Sequence, residues 1–185
     1  MAQVDESEVR RLVREAVERA LARPSAVPGP AAGGRKRVAI GADHGGYALK
    51  EVLKRFIAEE LDWEVHDCGT HSGEAVDYPD YAAAVGRAVA SSECGRGIVV
   101  DAAGIGSTMA ANKIPGVRCA LCHDDATVRN AREHNDANVL TLGAKFVDAS
   151  GMREIVETFL ASACTEERHA RRVKKIKAIE ETYSR

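Results

Sequence analysis

The sequence predicts an α/β domain, a doubly wound parallel sheet of roughly five strands, carrying an N-terminal amphipathic helix on a flexible linker. Three observations lead there. From Arg37 onward, short apolar runs rich in β-branched residues alternate with segments of helical spacing, the pattern of parallel strands joined by crossover helices. Two of those strands run into glycine-rich polar turns, Asp43-His44-Gly45-Gly46 and Asp101-Ala102-Ala103-Gly104-Ile105-Gly106. In open parallel sheets, ligands bind beyond the carboxyl ends of the strands, where such turns lie. Third, the composition breaks sharply at 23–36, RPSAVPGPAAGGRK, which separates residues 1–22 from a body at 37–185. The body is therefore read as Rossmann-like.

Composition narrows the function classes. A chain of 185 residues suits one ordinary domain with an appendage. A formal net charge of -2 offers no basic field for nucleic acid or an acidic membrane surface. No apolar run approaches membrane-spanning length, and the N-terminus has no apolar core of a secretory signal. Five cysteines, an odd number spread through apparent core segments, indicate reduced thiols and a cytoplasmic setting. Cys119 and Cys122 have CxxC spacing. They fall in a strand-like run with no second Cys/His pair near in sequence, so they read as small buried hydrophobes rather than a zinc or redox pair.

The elements follow in order. Asp5 to Ala22 is helical, with Val9, Leu12, Val13, Ala16, Val17, Ala20 and Leu21 in one apolar stripe and Asp5 with Glu8 as a capping box. The linker, as a flexible coil, lets this helix range over roughly 20 Å. A short helix with no core of its own is marginal in water, so its apolar face needs a docking surface. Arg37 to Ala42 is a strand ending in DHGG, and Leu49, Val52, Leu53, Phe56 and Ile57 mark a helix. Trp63 to Cys68 is a second strand. A loop from Gly69 to Pro79 leads to a helix through Ala82, Val85, Ala88 and Val89. Ile98, Val99 and Val100 form a buried central strand that stops at Asp101, and Ser107 and Thr108 open the next helix. Arg118 to Cys122 is a short strand. His123-Asp124-Asp125 caps a helix over Ala126 to Glu133. His134 to Asn138 is a turn rich in residues that tolerate a left-handed backbone. Val139 to Leu142 is the last strand. Ala149 to Ala161 and a highly charged Glu166 to Tyr183 are helices.

The stretch Gly97 to Lys113 carries the chemistry. Strand, glycine turn and helix N-terminus make a cradle for an anion, because backbone N–H groups point outward there and the helix dipole favours negative charge. Asp101 beside that cradle is placed either as a general base or as a plain helix cap. Asp43 and His44 stand at the equivalent edge of the first strand. A dinucleotide-binding reading is poor, because the first strand runs into DHGG and not into a full GxGxxG.

The segments GADHGGYALK, VDYPDYA, GIGSTMAANK, REHNDANVLTLG and ERHARRV, in that order, resemble type B ribose-5-phosphate isomerase and its relatives, the galactose-6-phosphate isomerase subunits. The resemblance covers nearly all of 37–185. It implies interconversion of ribose 5-phosphate and ribulose 5-phosphate without metal or cofactor, by a homodimer or tetramer whose active site is shared between subunits. Carried onto this chain, it implies that Asp43 and His44 contact the sugar and that Tyr78 lines the pocket. Ala102, Ala103, Gly104, Ile105 and Gly106 would hold the hydroxyls and the developing enediolate. His134 would be the acid that opens the furanose ring, with Asn135 beside it, and Arg168 and Arg172 would clamp the phosphate. The N-terminal helix and linker resemble the encapsulation peptides of bacterial microcompartments. That likeness implies a shell-protein partner for residues 5–22 and a place in the compartment lumen.

The chain departs from this family at the catalytic base. One branch has cysteine where Asp101 stands, and another has glutamate where Ser107 stands. Ala102 and Ala103 replace a more usual Gly and Ser or Thr. Three readings follow. Asp101 is the base; or the substrate is another sugar phosphate, such as a hexose 6-phosphate; or the site binds a sugar phosphate without turning it over.

Overall fold

The computed structural model describes residues 36–183. The helix expected over 1–22 and all but the last residue of the linker expected over 23–36 lie outside the described residues. Five strands, β1 (Arg37–Ala42), β2 (Glu64–Asp67), β3 (Arg96–Asp101), β4 (Cys119–Leu121) and β5 (Val139–Gly143), form one sheet in the order β2-β1-β3-β5-β4. Every neighbouring pair is parallel. Among the described residues six helices connect and flank them: α1 (Tyr47–Glu59), α2 (Tyr78–Ala90), α3 (Ile105–Ala111), α4 (Asp125–Asn135), α5 (Ala149–Ala161) and α6 (Glu167–Tyr183). Among the described residues, no helix is long and apolar enough to cross a membrane.

The winding reverses between β1 and β3. From β1 the chain steps outward to β2, then returns past β1 to β3 and continues to the other side. The crevice at such a switch point is where open α/β sheets bind ligands. Asp43 directly follows β1, and Asp101 ends β3.

Both sheet faces are covered. One core layer joins Val38, Ile40, Ile98, Val100, Leu140 and Leu142 of the strands to Leu53 and Ile57 of α1, Val128 of α4 and Phe159 of α5. The other joins Ala39, Val99 and Val139 to Ala82, Val85 and Val89 of α2 and Ala111 of α3. Strands buried on both faces carry continuous apolar runs, which is why β1, β3 and β5 stand out in the sequence. Gly46 lets α1 start against β3, for a Cβ there would lie 2.0 Å from the Val100 carbonyl oxygen.

Two boundaries differ from the sequence expectation, and both bear on the site. The helix after β2 begins at Tyr78, not beyond Pro79. Proline is at home in a first helical turn, where its missing N–H has no partner to lose. The helix after β4 runs through His134 and Asn135, which the spacing assigned to a turn. Asp136, at φ 46°, takes the left-handed position that ends it.

Edge strand β2 is tied down by charge. The Lys50 ammonium is fully buried and donates to both carboxylate oxygens of Asp67, at 2.8 and 2.9 Å. Burial alone would raise the Asp67 carboxyl. Hydrogen bonds from Lys50 and Lys54 outweigh it and hold the group at about 2. A depressed folded-state value gives stability that is present above the ordinary carboxylate range and lost as pH falls through the folded value. Acid unfolding should therefore steepen between about pH 4 and 2. Asp67→Asn strands the buried ammonium with Glu51, at 2.9 Å, as its only anionic neighbour among the described residues. It is expected to cost about 3 kcal/mol in urea unfolding and to flatten that acid limb. An unchanged midpoint would show that Glu51 alone satisfies Lys50.

Candidate active site

The carboxyl edge of β1 and β3 brings most of the expected residues together. Asp43 is 6% exposed, and its Oδ1 accepts the Gly46 N–H at 2.9 Å, which shapes the DHGG turn. The Val76 N–H donates to His44 Nδ1 at 3.2 Å, tying the loop before α2 to the same edge. The second glycine-rich loop is in contact with the first: a Cβ on Gly45 would sit 3.5 Å from the Ala102 Cβ. Tyr78, in the first turn of α2, lies across the second loop, since a Cβ on Gly106 would come within 2.6 Å of its ring and hydroxyl. Gly106 is thus the residue that admits the tyrosine. Gly104 has φ +78°, a left-handed backbone that only glycine adopts readily, and it turns the chain into α3.

Asp101 is where the spacing put it, but its carboxylate is engaged. Oδ1 accepts the N–H groups of Ala103 and Gly104. Oδ2 accepts the Ser107 N–H at 3.3 Å and the Ser107 hydroxyl. The residue is 4% exposed and Ser107 fully buried. A carboxylate has about four acceptor directions, and four donors fill them. One expectation is corrected here: the amides of Ala103 and Gly104 do not form an open cradle, because Asp101 itself fills it. Of the two roles the spacing left open for Asp101, the carboxylate as it stands performs that of a cap. The first-turn amides of Ile105 and Gly106 have no acceptor within the helix and remain the donors on offer to a ligand. Among the described residues, Asp43 is a carboxylate at this edge with only one oxygen committed to the turn.

His134, Asn135, Arg168 and Arg172 are elsewhere. In a parallel sheet the crossover helix carries the chain back, so α4 starts at the carboxyl end of β4 and finishes near the starts of the strands. The Asn138 N–H donates to Arg118 and its carbonyl accepts from Gly97, both at strand entrances. An 11-residue helix spans about 16 Å. His134 therefore lies at the amino edge, away from Asp43 and Asp101 of its own chain. Arg132 fixes that end of α4. Its buried guanidinium donates to the Ser162 carbonyl at 3.2 and 3.1 Å, the Ala137 carbonyl at 2.6 Å and Asp136 Oδ1 at 3.0 Å. Arg168 and Arg172 are both exposed on α6, Arg168 paired with Glu166 at 2.7 Å. His169 of the same helix stacks on His134 at 4.0 Å. The structure does not bring these four residues to Asp43 and Asp101 within one chain: the two groups lie at opposite edges of the sheet, an arrangement compatible with the site shared between subunits that the resemblance implies.

Three residues make contacts here that the spacing did not show. Ser107 holds Asp101. Asn130 meets His134 Nδ1 at 3.0 Å, at the i,i+4 spacing that one helix face provides. Lys145 is an exposed cation on the turn after β5, and its N–H donates to the Ala102 carbonyl at 3.1 Å. The strand-then-lysine order at Val139 to Lys145 was the one available signal for it.

The CxxC pair behaves as apolar packing. Burial pushes the Cys119 thiol up to about 12 and the Cys122 thiol to about 11. Thiols held that far from ionisation are poor metal ligands and nucleophiles. Among the described residues there is no cluster of three or more His, Cys, Asp or Glu that could hold a metal ion.

Against known proteins, the sequence pattern of the family described as Ribose/Galactose Isomerase matches residues 38–176. Ribose-5-phosphate isomerase B of Escherichia coli is 39% identical over 146 residues, covering 79% of this chain and 97% of that protein. The structure of Clostridium thermocellum ribose-5-phosphate isomerase B superposes with a TM-score of 0.77 at 47% identity, over 80% of this chain and 99% of that one. A Mycoplasma genitalium structure described as ribose-5-phosphate isomerase B with bound ribulose-5-phosphate gives a TM-score of 0.75 at 37% identity, over 78% of this chain and 96% of that one.

Proposed function

The chain belongs to the ribose/galactose isomerase family, and from that premise we propose that it interconverts ribose 5-phosphate and ribulose 5-phosphate through an enediolate. The observation that carries the reading is the meeting of Asp43, His44, Tyr78 and the α3 N-terminus at the switch point of the sheet. Isomerisation needs a base to move a proton between C2 and C1 and donors for the oxygen that becomes negative. The free first-turn amides of α3 and its dipole supply donors.

The remaining parts come from a second copy of the chain. His134 is the acid for ring opening, and Arg168 with Arg172 the phosphate clamp, a bidentate role that suits paired guanidinium groups. Since these lie at the far edge, a sister subunit presents its amino edge to the Asp43–Asp101 edge of its partner. Lys145 adds a cation to the same mouth.

The base is Asp101 or Asp43. Asp101 takes the role when substrate displaces Ser107 from Oδ2, which frees an oxygen beside the helix N-terminus. Asp43 needs no such exchange, and its uncommitted oxygen favours this second assignment. The full engagement of Asp101 also favours a third reading, a sugar-phosphate binder without turnover. A coupled assay of ribulose 5-phosphate formation tests the function. Turnover of ribose 5-phosphate supports it. Binding of pentose and hexose 6-phosphates with no turnover would overturn it in favour of the binder, and turnover of a hexose 6-phosphate alone would change the substrate.

Residues 5–22 are proposed as a docking peptide for a microcompartment shell protein, on the strength of their apolar stripe and the Pro/Gly linker. Deletion of residues 1–34 is expected to leave isomerase activity intact and to abolish co-sedimentation with shells. Loss of activity or of self-association on that deletion would instead place the helix against its own body or a sister subunit.

A further inference from the structure

We propose that Asn130 is a positioning residue that fixes His134 in the tautomer carrying its proton on Nε2. The consequence for catalysis rests on the isomerase reading; the tautomer does not. The assignment follows from one group that cannot be turned around, the backbone carbonyl of Asn130. The Asn135 side-chain amide lies 3.1 Å from that carbonyl oxygen. Only its nitrogen can face an acceptor, so Asn135 has Nδ2 on that side. The same Nδ2 lies 3.2 Å from Asn130 Oδ1. Flipping Asn130 would set two amide nitrogens, both donors, against each other. Asn130 therefore has its oxygen toward Asn135 and its Nδ2 toward His134, where Nδ2 meets Nδ1 at 3.0 Å. An amide nitrogen only donates. His134 Nδ1 must accept, and the single proton of the neutral ring is left on Nε2.

His169 completes the arrangement without competing for that proton. Its ring lies parallel to His134 within 12°, at 4.0 Å. It is buried, and among the described residues neither of its ring nitrogens has a hydrogen-bond partner, Glu166 Oε2 standing 3.9 Å from Nε2. Burial, reinforced by His134, lowers its basicity. The contact is face to face, so His169 limits tilt of the His134 ring while Asn130 sets the rotation about its axis. The result is an Nε2–H available to protonate the ring oxygen of a furanose as the bond from C1 to that oxygen breaks, while the C1 hydroxyl gives up its proton to solvent water and C1 becomes the carbonyl carbon. With the opposite tautomer the ring would offer a lone pair there, and the oxygen would receive no proton.

Full-length protein labelled with 15N in its histidine rings tests this at a pH where His134 is neutral, its signals assigned by loss in His134→Gln. A pyridine-type Nδ1 and a protonated Nε2 are expected in the wild type. Asn130→Asp replaces the donor with an acceptor and is expected to move the proton to Nδ1. It should lower kcat on ribose 5-phosphate by about tenfold or more, with KM within about twofold, as for loss of a general acid. A protonated Nδ1 in the wild type would overturn the proposal. So would an Nε2–H unchanged in Asn130→Asp, or a shifted tautomer with unchanged kcat. A wild type that turns over no sugar phosphate would count against the isomerase reading, while the ring signals would still decide the tautomer.

Discussion

Asp101→Asn is expected to lower kcat by about 10²–10⁴, with KM for ribose 5-phosphate changed little, if Asp101 is the base. The substitution preserves volume and one oxygen. That oxygen still accepts the Ala103 and Gly104 N–H groups, so the loop keeps its course into α3. On the other side Nδ2 replaces Oδ2. It faces the Ser107 N–H donor against donor, and the Ser107 hydroxyl must turn its lone pair inward. Losing a charged acceptor for a buried amide costs about 1–3 kcal/mol, which a thermal or urea unfolding curve reads separately from turnover. The two roles of Asp101 therefore come apart. A large fall in kcat with a modest stability loss marks the base. A stability loss with kcat within about threefold of wild type marks an anchor only, and directs attention to Asp43→Asn, whose own large kcat loss would then be required.

The difference between those outcomes explains what the sequence could show. The strands were legible because β1, β3 and β5 are buried on both faces and had to be apolar throughout. The two glycine-rich turns were legible because close backbone approach leaves no choice of residue at Gly46 or Gly104. What a carboxylate does at the end of a strand was not legible. The same Asp101, at the same position, is a base if its oxygens face a ligand and a cap if they face the loop. That choice depends on the path of the backbone from Ala102 to Ser107, which no spacing encodes. Asn130 was invisible for a related reason. An asparagine on an exposed helix face gains its role only from the orientation of Asn135 and the Asn130 carbonyl.

Nor could spacing show which edge of the sheet each residue reaches, although the topology decides it. Motifs at the ends of strands share an edge, and motifs at the ends of helices go to the opposite one. That rule alone separates Asp43 and Asp101 from His134, since the former end strands and the latter ends α4. His134 and His169 then belong together because α6 packs on α4.

This separation makes a prediction that is independent of which carboxylate is the base. Asp43→Asn and His134→Gln, each purified alone, are expected to be nearly inactive. Mixed under conditions that allow subunits to exchange, they should regain activity. In a symmetric dimer with shared sites, a hybrid pairs the mutated edge of one chain with the mutated edge of the other in one site. Its second site receives an intact Asp43 edge and an intact His134 edge. Random reassortment makes about half of the dimers hybrids, each with one of two sites intact, so recovery should approach about a quarter of wild-type activity. If each site lay within one chain, every site in every hybrid would carry one lesion and mixing would restore nothing. Recovery must also fail when Asp43→Asn is mixed with Tyr78→Phe, because both lesions fall on the same edge and each chain still carries a damaged half-site there, whereas the companion mixture of Asp43→Asn with Arg172→Gln should recover as His134→Gln does. Equal recovery in the two mixtures, or none in either, would mean that the far-edge residues do not complete the site, and the phosphate and ring-opening roles would have to be sought among Lys145, His44 and the α3 amides of a single chain.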